Sequence, residues 1–209
     1  MTAGLLHDHE AEHSTGGALC LEFTNTTSAR RTDAPSEHLH SYADLLAWAQ
    51  GQEILAPELA ARLASEGERR AQAAADALQR ALELREALYR IFTAHADGLP
   101  PAAADLQLLN TALAEAMPHR RLAAGTEGFS WQWEAEADTL AQMLWPVARS
   151  AADLLTSPDL ARVRECAGAT CDWLFIDRSK NHSRRWCDMQ ECGNVAKVRR
   201  YRTRKQASA

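Results

Sequence analysis

The 209-residue chain has no uninterrupted apolar run approaching the roughly 18 residues of a membrane span, so no membrane partner is expected. Its start lacks the basic n-region and apolar core of a secretory signal: Met1 to Ser14 is polar and carries Asp8, Glu10 and Glu12. The thiols are therefore expected to face a reducing cytoplasm, which favours metal binding over disulfides. Residues 1–157 also lack a Gly-rich phosphate loop, a nucleophile elbow and a cluster of His, Cys and Asp, and the chain is not expected to be an enzyme. His7, His9 and His13 are close in sequence, but they lie in a terminus expected to be frayed and do not suggest a metal site. No internal repeat is visible. Cysteine is scarce in this part: Cys20, alone in an apolar run, has the character of a small buried hydrophobe.

The informative residues are concentrated at the other end. Cys166-x4-Cys171 and Cys187-x4-Cys192 are separated by fifteen residues. Each short loop supplies two thiolates, and the spacer lets the second loop reach the first, as a tetrahedral Cys₄ zinc site requires. In an appendage this small the metal replaces a core that the chain is too short to build. Four thiolates leave no open coordination position, so the expected cofactor is structural Zn²⁺. A four-cysteine Fe–S cluster is the competing occupant, for which the basic, polar surroundings give no redox rationale. His182, in the spacer, offers a substitute ligand, although a surface position is the simpler expectation. Trp173, Leu174, Phe175, Ile176 and Trp186 are expected to form a small core against the metal loops.

The formal net charge of −5 conceals a partition. Residues 162–209 carry twelve Lys/Arg against five Asp/Glu, a balance of +7, while residues 1–161 stand at −12. An acidic body with a basic tail implies that the tail alone meets a polyanion. Arg184, Arg185, Lys197, Arg199, Arg200, Tyr201, Arg204 and Lys205 are the candidate nucleic-acid contacts, with Arg202 among them in the chain. A helix from Val195 to about Gln206, capped by Asn194, would place Lys197, Arg200 and Arg204 on one face and turn Val195 and Val198 inward. Lys197 in its first turn opposes the helix dipole and would welcome an anion. Arg184 and Arg185, in the spacer, are candidates for reading base edges.

Along the body, the apolar run after Gly17 suits a strand or a helical turn, and residues 30–40 suit a loop. Ser41 is a candidate N-cap for a helix ending near Gly51, and Pro57 opens another. A long helix is expected from Glu68 to Ala96 and a further one from Ala102 to Met117. Between Pro118 and Glu136 the alternation of Leu122, Phe129, Trp131 and Trp133 predicts a hairpin. A helix carrying Leu140 to Leu154 follows, with Pro146 expected to bend it. Ser157-Pro158 marks a break. The expected fold class is mainly α with a small β element, divided into a helical domain at 1–157 and a small treble-clef or ribbon-like zinc finger at 158–209. Asn25, Trp48, Trp131 and Trp133 are candidates for a ligand pocket, with core packing the simpler role.

The finger text is distinctive. Cys166, Gly168, Cys171, Trp173, Phe175, Asp177 and Ser179, then Arg184 to Cys187, Met189, Cys192-Gly193-Asn194, Lys197 and Arg199-Arg200-Tyr201 closely resemble the CGNR zinc-finger family. Leu21-x-Phe23-x-Asn25-Thr26 and the helical body resemble the ABATE domain that usually precedes that finger. The resemblance implies a bacterial stress-induced transcription regulator with a nucleic-acid-binding finger and a body that senses a signal. DNA is expected ahead of RNA as the partner, with Trp173, Trp186 or Tyr201 available to stack on unpaired RNA bases. A small-molecule effector and a homodimer are the further partners that such a body admits. An enzyme with its site in the body is the alternative that the residues support least.

Overall fold

In the computed structural model, which describes residues 16–125, 128–134 and 139–207, the chain is mainly helical with three short antiparallel strand pairs. The elements are α1 (Leu19–Thr24), β1 (Thr27–Ser28), β2 (Ser36–Glu37), α2 (Tyr42–Gly51), α3 (Pro57–Arg69), α4 (Ala71–Ala96), α5 (Ala103–Ala116), β3 (Arg120–Gly125), β4 (Gly128–Trp133), α6 (Leu144–Leu155), β5 (Val163–Glu165), β6 (Leu174–Ile176) and α7 (Asn194–Ala207). Strands β1 and β2, β3 and β4, and β5 and β6 pair with each other. His7, His9 and His13 lie outside the described residues. Among the described residues no helix is long and apolar enough to cross a membrane.

Local chemistry sets most boundaries. Ser41 and Asp44 form a reciprocal capping box at the start of α2, and Pro57 occupies the first turn of α3. The apolar run after Gly17 is a helical turn, closed when the Thr24 and Thr26 hydroxyls donate to the carbonyls of Leu21 and Phe23. The long helix starts later than its periodicity suggests. Glu68 belongs to α3, and the backbone breaks at Arg70 (φ −124°, ψ 56°) before α4 begins. Pro146 sits in the first turn of α6, where a missing N–H leaves no intrahelical bond unmade. It therefore opens that helix and does not bend it.

The core gathers around α4, whose Ala77, Ala81, Leu88, Ile91 and Phe92 face Leu21, Phe23, Leu45, Ile54, Leu63 and Met143. Each such aliphatic or aromatic side chain contributes roughly 1.5–3 kcal/mol on burial. Charge is built into this layer as well: Arg85 of α4 is buried and pairs with Glu37 at 2.6 Å. Burial alone would push the pKa of Glu37 up, but the Arg85 hydrogen bonds outweigh it and hold that carboxyl down at about 2. Cys20 is fully buried in the same core, and burial pushes its thiol up to about 12, which leaves it inert near neutral pH.

The core does not stop at Ser157. Strand β6 alternates its side chains, so Leu174 and Ile176 join the body's core while Phe175 faces the cysteines. Val163 of β5 is buried with them. Asn25 holds the strand in register: its amide donates to the Leu174 carbonyl (2.9 Å), and its oxygen accepts from the Leu174 N–H (2.8 Å). Arg30 reaches across to Asp172 while stacking 4.1 Å over the Tyr89 ring, and Arg31 pairs with Glu165 at 2.6 Å.

Asn25→Ala would leave a buried donor and a buried acceptor of Leu174 without partners. Unfolding in urea should show a loss of about 2–4 kcal/mol, given the usual cost of unsatisfied buried polar groups. An unchanged midpoint would mean that β6 does not need this tie.

Candidate metal centre and nucleic-acid interface

The first metal loop connects β5 to β6. Cys166 continues the strand ladder by donating its N–H to the Trp173 carbonyl (2.8 Å), and the chain then turns tightly through Gly168 to Cys171. Only glycine fits there, because an added Cβ would lie 2.9 Å from the Cβ of Cys171 and within 3.5 Å of the sulfurs of Cys166 and Cys192. The second loop runs through Cys187 and Asp188 into a wide helical turn, Met189–Gly193, that carries Cys192. The N–H of Ala167 donates to the carbonyl of Arg185 (2.8 Å) and ties the two loops together.

The four sulfurs converge, all lying within 4.8 Å of one another. Cys171 and Cys187 are 3.6 Å apart, and Cys187 and Cys192 3.8 Å. A tetrahedron with Zn–S bonds of about 2.3 Å has edges of about 3.8 Å, so the donor set fits zinc. Backbone N–H groups of Gly168 and Cys187 point at the Cys166 sulfur at 3.4 and 3.3 Å, as thiolate ligands favour. Hydrogen bonds from Cys171 and Cys187 hold Cys166 down at about 2, against the effect of burial. The contact with Cys166 pushes Cys171 up to about 12 and drives Cys187 upward as well. One thiolate thus suppresses ionisation of its neighbours, and a cation among the sulfurs is what lets all four ionise together.

The spacer is pinned by buried Asp177, whose carboxylate accepts from the Ser179 N–H and hydroxyl and from the Arg184 N–H. Arg184 folds back onto the finger. Its guanidinium lies 4.5 Å over Phe175 and donates to the carbonyls of Trp186 and Cys187. Arg185 is exposed and stacks on Trp186. His182 is exposed beside Asp177 and stands apart from the sulfur cluster. Trp173 and Trp186 pack with Phe175 against the cysteines, as expected of a small core.

Helix α7 continues directly from the second metal loop. Asp188 caps the helical run by accepting from Gln190 and Glu191, so a carboxylate of the chain itself meets the dipole there and Lys197 is not in the opening turn. Asn194 is no N-cap: its amide donates to the Gln190 carbonyl (2.7 Å). Val195 and Val198 are 66% and 49% exposed and do not turn inward. At about 100° per residue, Lys197, Arg200, Arg204 and Lys205 share one broad arc. Val195, Ala196, Arg199 and Thr203 instead face the first metal loop across a groove of about 640 Å³.

Residues 17–158 match a family model named ABATE, described as "Putative stress-induced transcription regulator", and residues 162–205 match that of the CGNR zinc finger. The chain belongs to the ABATE family. A search of curated proteins finds no match. The four clustered cysteines and all but the last two residues of α7 lie within the CGNR finger, while Asn25, Arg30 and Arg31, which hold β6 and its flanks, belong to the ABATE segment.

Of the four pocket candidates of the ABATE segment, Trp131 and Trp133 stand on one face of the β3–β4 hairpin with the Arg120 guanidinium over both rings. Asn25 serves Leu174, Trp48 packs on Phe23 at 4.9 Å, Trp133 is buried, and Trp131 stands exposed. Sequence reasoning missed the capping role of Asp188, although an Asp immediately before a helical run is a readable signal. The pairing of Arg30 with Asp172 spans 142 residues and has no local signature.

Purified ABATE–CGNR protein should hold one zinc per chain by elemental analysis, and Cys187→Ser should lose it. Gly168→Ala should retain all four ligands yet release zinc to a chelator at least tenfold more readily, because the added Cβ forces the loop apart. Chelator resistance equal to that of the unaltered chain would show that the loop tolerates the methyl group.

Proposed function

We propose that this protein is a cytoplasmic DNA-binding transcription regulator, in which a structural zinc holds the CGNR finger and α7 lies against the phosphate backbone. The single observation that carries this is the character of α7. Residues 194–207 include six Lys/Arg and no Asp/Glu, and the helix has no fully buried face. A 14-residue helix with like charges at i,i+3 and i,i+4 positions, such as Lys197 with Arg200 and Arg200 with Arg204, is marginal by itself. A polyanion removes that repulsion and completes the element. The body at −12 is repelled from the same polyanion, which orients the molecule finger-first.

Zinc in the Cys₄ site supplies a cross-link among the metal loops. The chain's own residues do the rest. Lys197, Arg200, Arg204 and Lys205 contact phosphates from one arc. Arg199 and Arg200 border the groove beside the first metal loop. Arg185, exposed next to a ligand, is the base-reading candidate, while Arg184 aims the loop by binding its carbonyls. The ABATE body serves as the sensor or dimerisation domain. Tyr201, exposed among these arginines, favours a second reading in which unpaired RNA bases stack on the helix.

Sequencing of nucleic acid that co-purifies with the protein separates these readings: genomic DNA fragments are expected, and mainly RNA would overturn the first. Replacing Lys197, Arg200 and Arg204 together with alanine should weaken binding to every duplex similarly. It should flatten the log–log salt dependence by about 0.9 per lost contact. Arg185→Ala should instead reduce discrimination between sites, by about 1–3 kcal/mol if a bidentate base contact is lost. Binding titrations at several salt concentrations measure both, and an unchanged slope in the triple variant would remove α7 from the interface.

A further inference from the structure

A cavity of about 410 Å³ lies where the finger meets the body, and its lining comes from both family segments. Leu19, Arg120 and the α6 residues Pro146, Arg149, Asp153 and Leu154 belong to the ABATE match, whereas Ile176 and Arg178 belong to the CGNR finger. The volume falls within the range of small-molecule sites, roughly 300–1,000 Å³. It far exceeds what a bare phosphate or carboxylate group would fill. Leu19, Pro146, Leu154 and Ile176 supply apolar lining for the rest of a larger ligand.

The polar lining is rich in donors. Three guanidinium groups, those of Arg120, Arg149 and Arg178, face two carboxylates, Asp153 and Asp159, so the local surplus is positive although residues 1–161 stand at −12. The carboxylates do not use up the arginines. Arg149 engages Asp153 through its Nε, at 2.7 and 2.8 Å, and its two terminal nitrogens take no part in that pair. Asp159 already accepts from Arg162 at 3.3 Å and lies 3.8 Å from Arg178, beyond hydrogen-bond distance. Arg178 gives one nitrogen, Nη2, to the Gly17 carbonyl at 3.3 Å. Arg120 is 9% exposed, and its guanidinium is held over the rings of Trp133 (4.5 Å) and Trp131 (5.4 Å). The hydroxyls are engaged as acceptors, Ser150 from the Cys20 N–H and Ser157 from that of Asp159. Such a lining calls for an acceptor ligand, and a guanidinium fork matches the paired oxygens of a carboxylate or phosphate. Arg178 also follows Asp177, which binds the Arg184 N–H, and Arg184 in turn donates to the carbonyl of Cys187. An anion shared by Arg149 and Arg178 would therefore fasten the finger's spacer to α6.

We propose that this cavity binds a small organic anion, its carboxylate or phosphate head held by Arg120, Arg149 and Arg178 and its body set against the apolar lining. This gives a site and a ligand class to the sensor role proposed above for the body, and it rests on that reading for its purpose alone. The test is isothermal titration of the full zinc-loaded chain, without nucleic acid, with phenyl phosphate, benzoate, inorganic phosphate and benzyl alcohol. One of the two ring-bearing anions should bind with a Kd below about 1 mM, at least tenfold tighter than inorganic phosphate, and the neutral alcohol should not bind. The stronger head group tells a phosphate ester from a carboxylate as the ligand class. Arg149→Gln with Arg178→Gln should weaken binding at least tenfold while leaving zinc content and circular dichroism unchanged, since neither side chain is buried. Replacing Lys197, Arg200 and Arg204 with alanine should leave the anion's affinity unaltered, which separates this cavity from the basic helix. Whether that helix binds nucleic acid is read from its own salt titrations. No binding of either ring-bearing anion at about 10 mM overturns the proposal, as does inorganic phosphate binding equally well. An unaltered affinity in the glutamine pair, or a loss of binding in the α7 variant, overturns it equally.

Discussion

Strand β6 is three residues long and has no solvent face, and the rest of the molecule is arranged around that constraint. Leu174 and Ile176 complete the body's core, while Phe175 completes the floor of the cysteine cluster. A strand buried on both sides reads as an unbroken apolar run, which is why Trp173 to Ile176 shows no alternation. Its backbone polar groups still need partners. β5 supplies some and Asn25 supplies others, so a side chain of the ABATE segment acts as part of the finger's sheet. The metal loops are therefore mounted on a surface that a far larger core holds rigid. Arg30 extends the same mounting to Asp172, one position after Cys171 of the cysteine cluster.

Rigidity at the metal contrasts with the helix beyond it. Up to Gly193 the second loop is tied by the Asp188 cap and by the Arg184 clasp on the Trp186 and Cys187 carbonyls. From Asn194 onward the chain offers charge and little packing. A firmly held base carrying an exposed cationic rod suits a ligand that brings its own counter-charge, since the rod then loses self-repulsion on binding. The acidic body makes the preference directional.

The two exposed surfaces differ in kind and so can act separately. The basic helix is a surface of charge, sensitive to salt, whereas the hairpin tip, with Leu122, Phe129 and Trp131 exposed, is a surface of apolar area. Trp145 packs against the buried base of the hairpin at Trp133, and β6 joins the body's core to the finger. A change of packing in the first could thus reach the second only through the core they share.

The cysteine cluster, the Ser41 cap of α2, the proline start of α3, the hairpin and the opposed charges of body and tail were legible in the sequence. Each depends on spacing or composition over a few residues, and local geometry suffices to decide it. Tertiary structure decided what the long and amphipathic side chains do. Asn25 finds its partner 149 positions away, Arg184 turns back onto Phe175, and Val195 and Val198 stay exposed. The physical reason is common to all three. A cap or a metal loop is closed by neighbours along the chain, whereas burial and long-range pairing depend on which distant element happens to lie opposite.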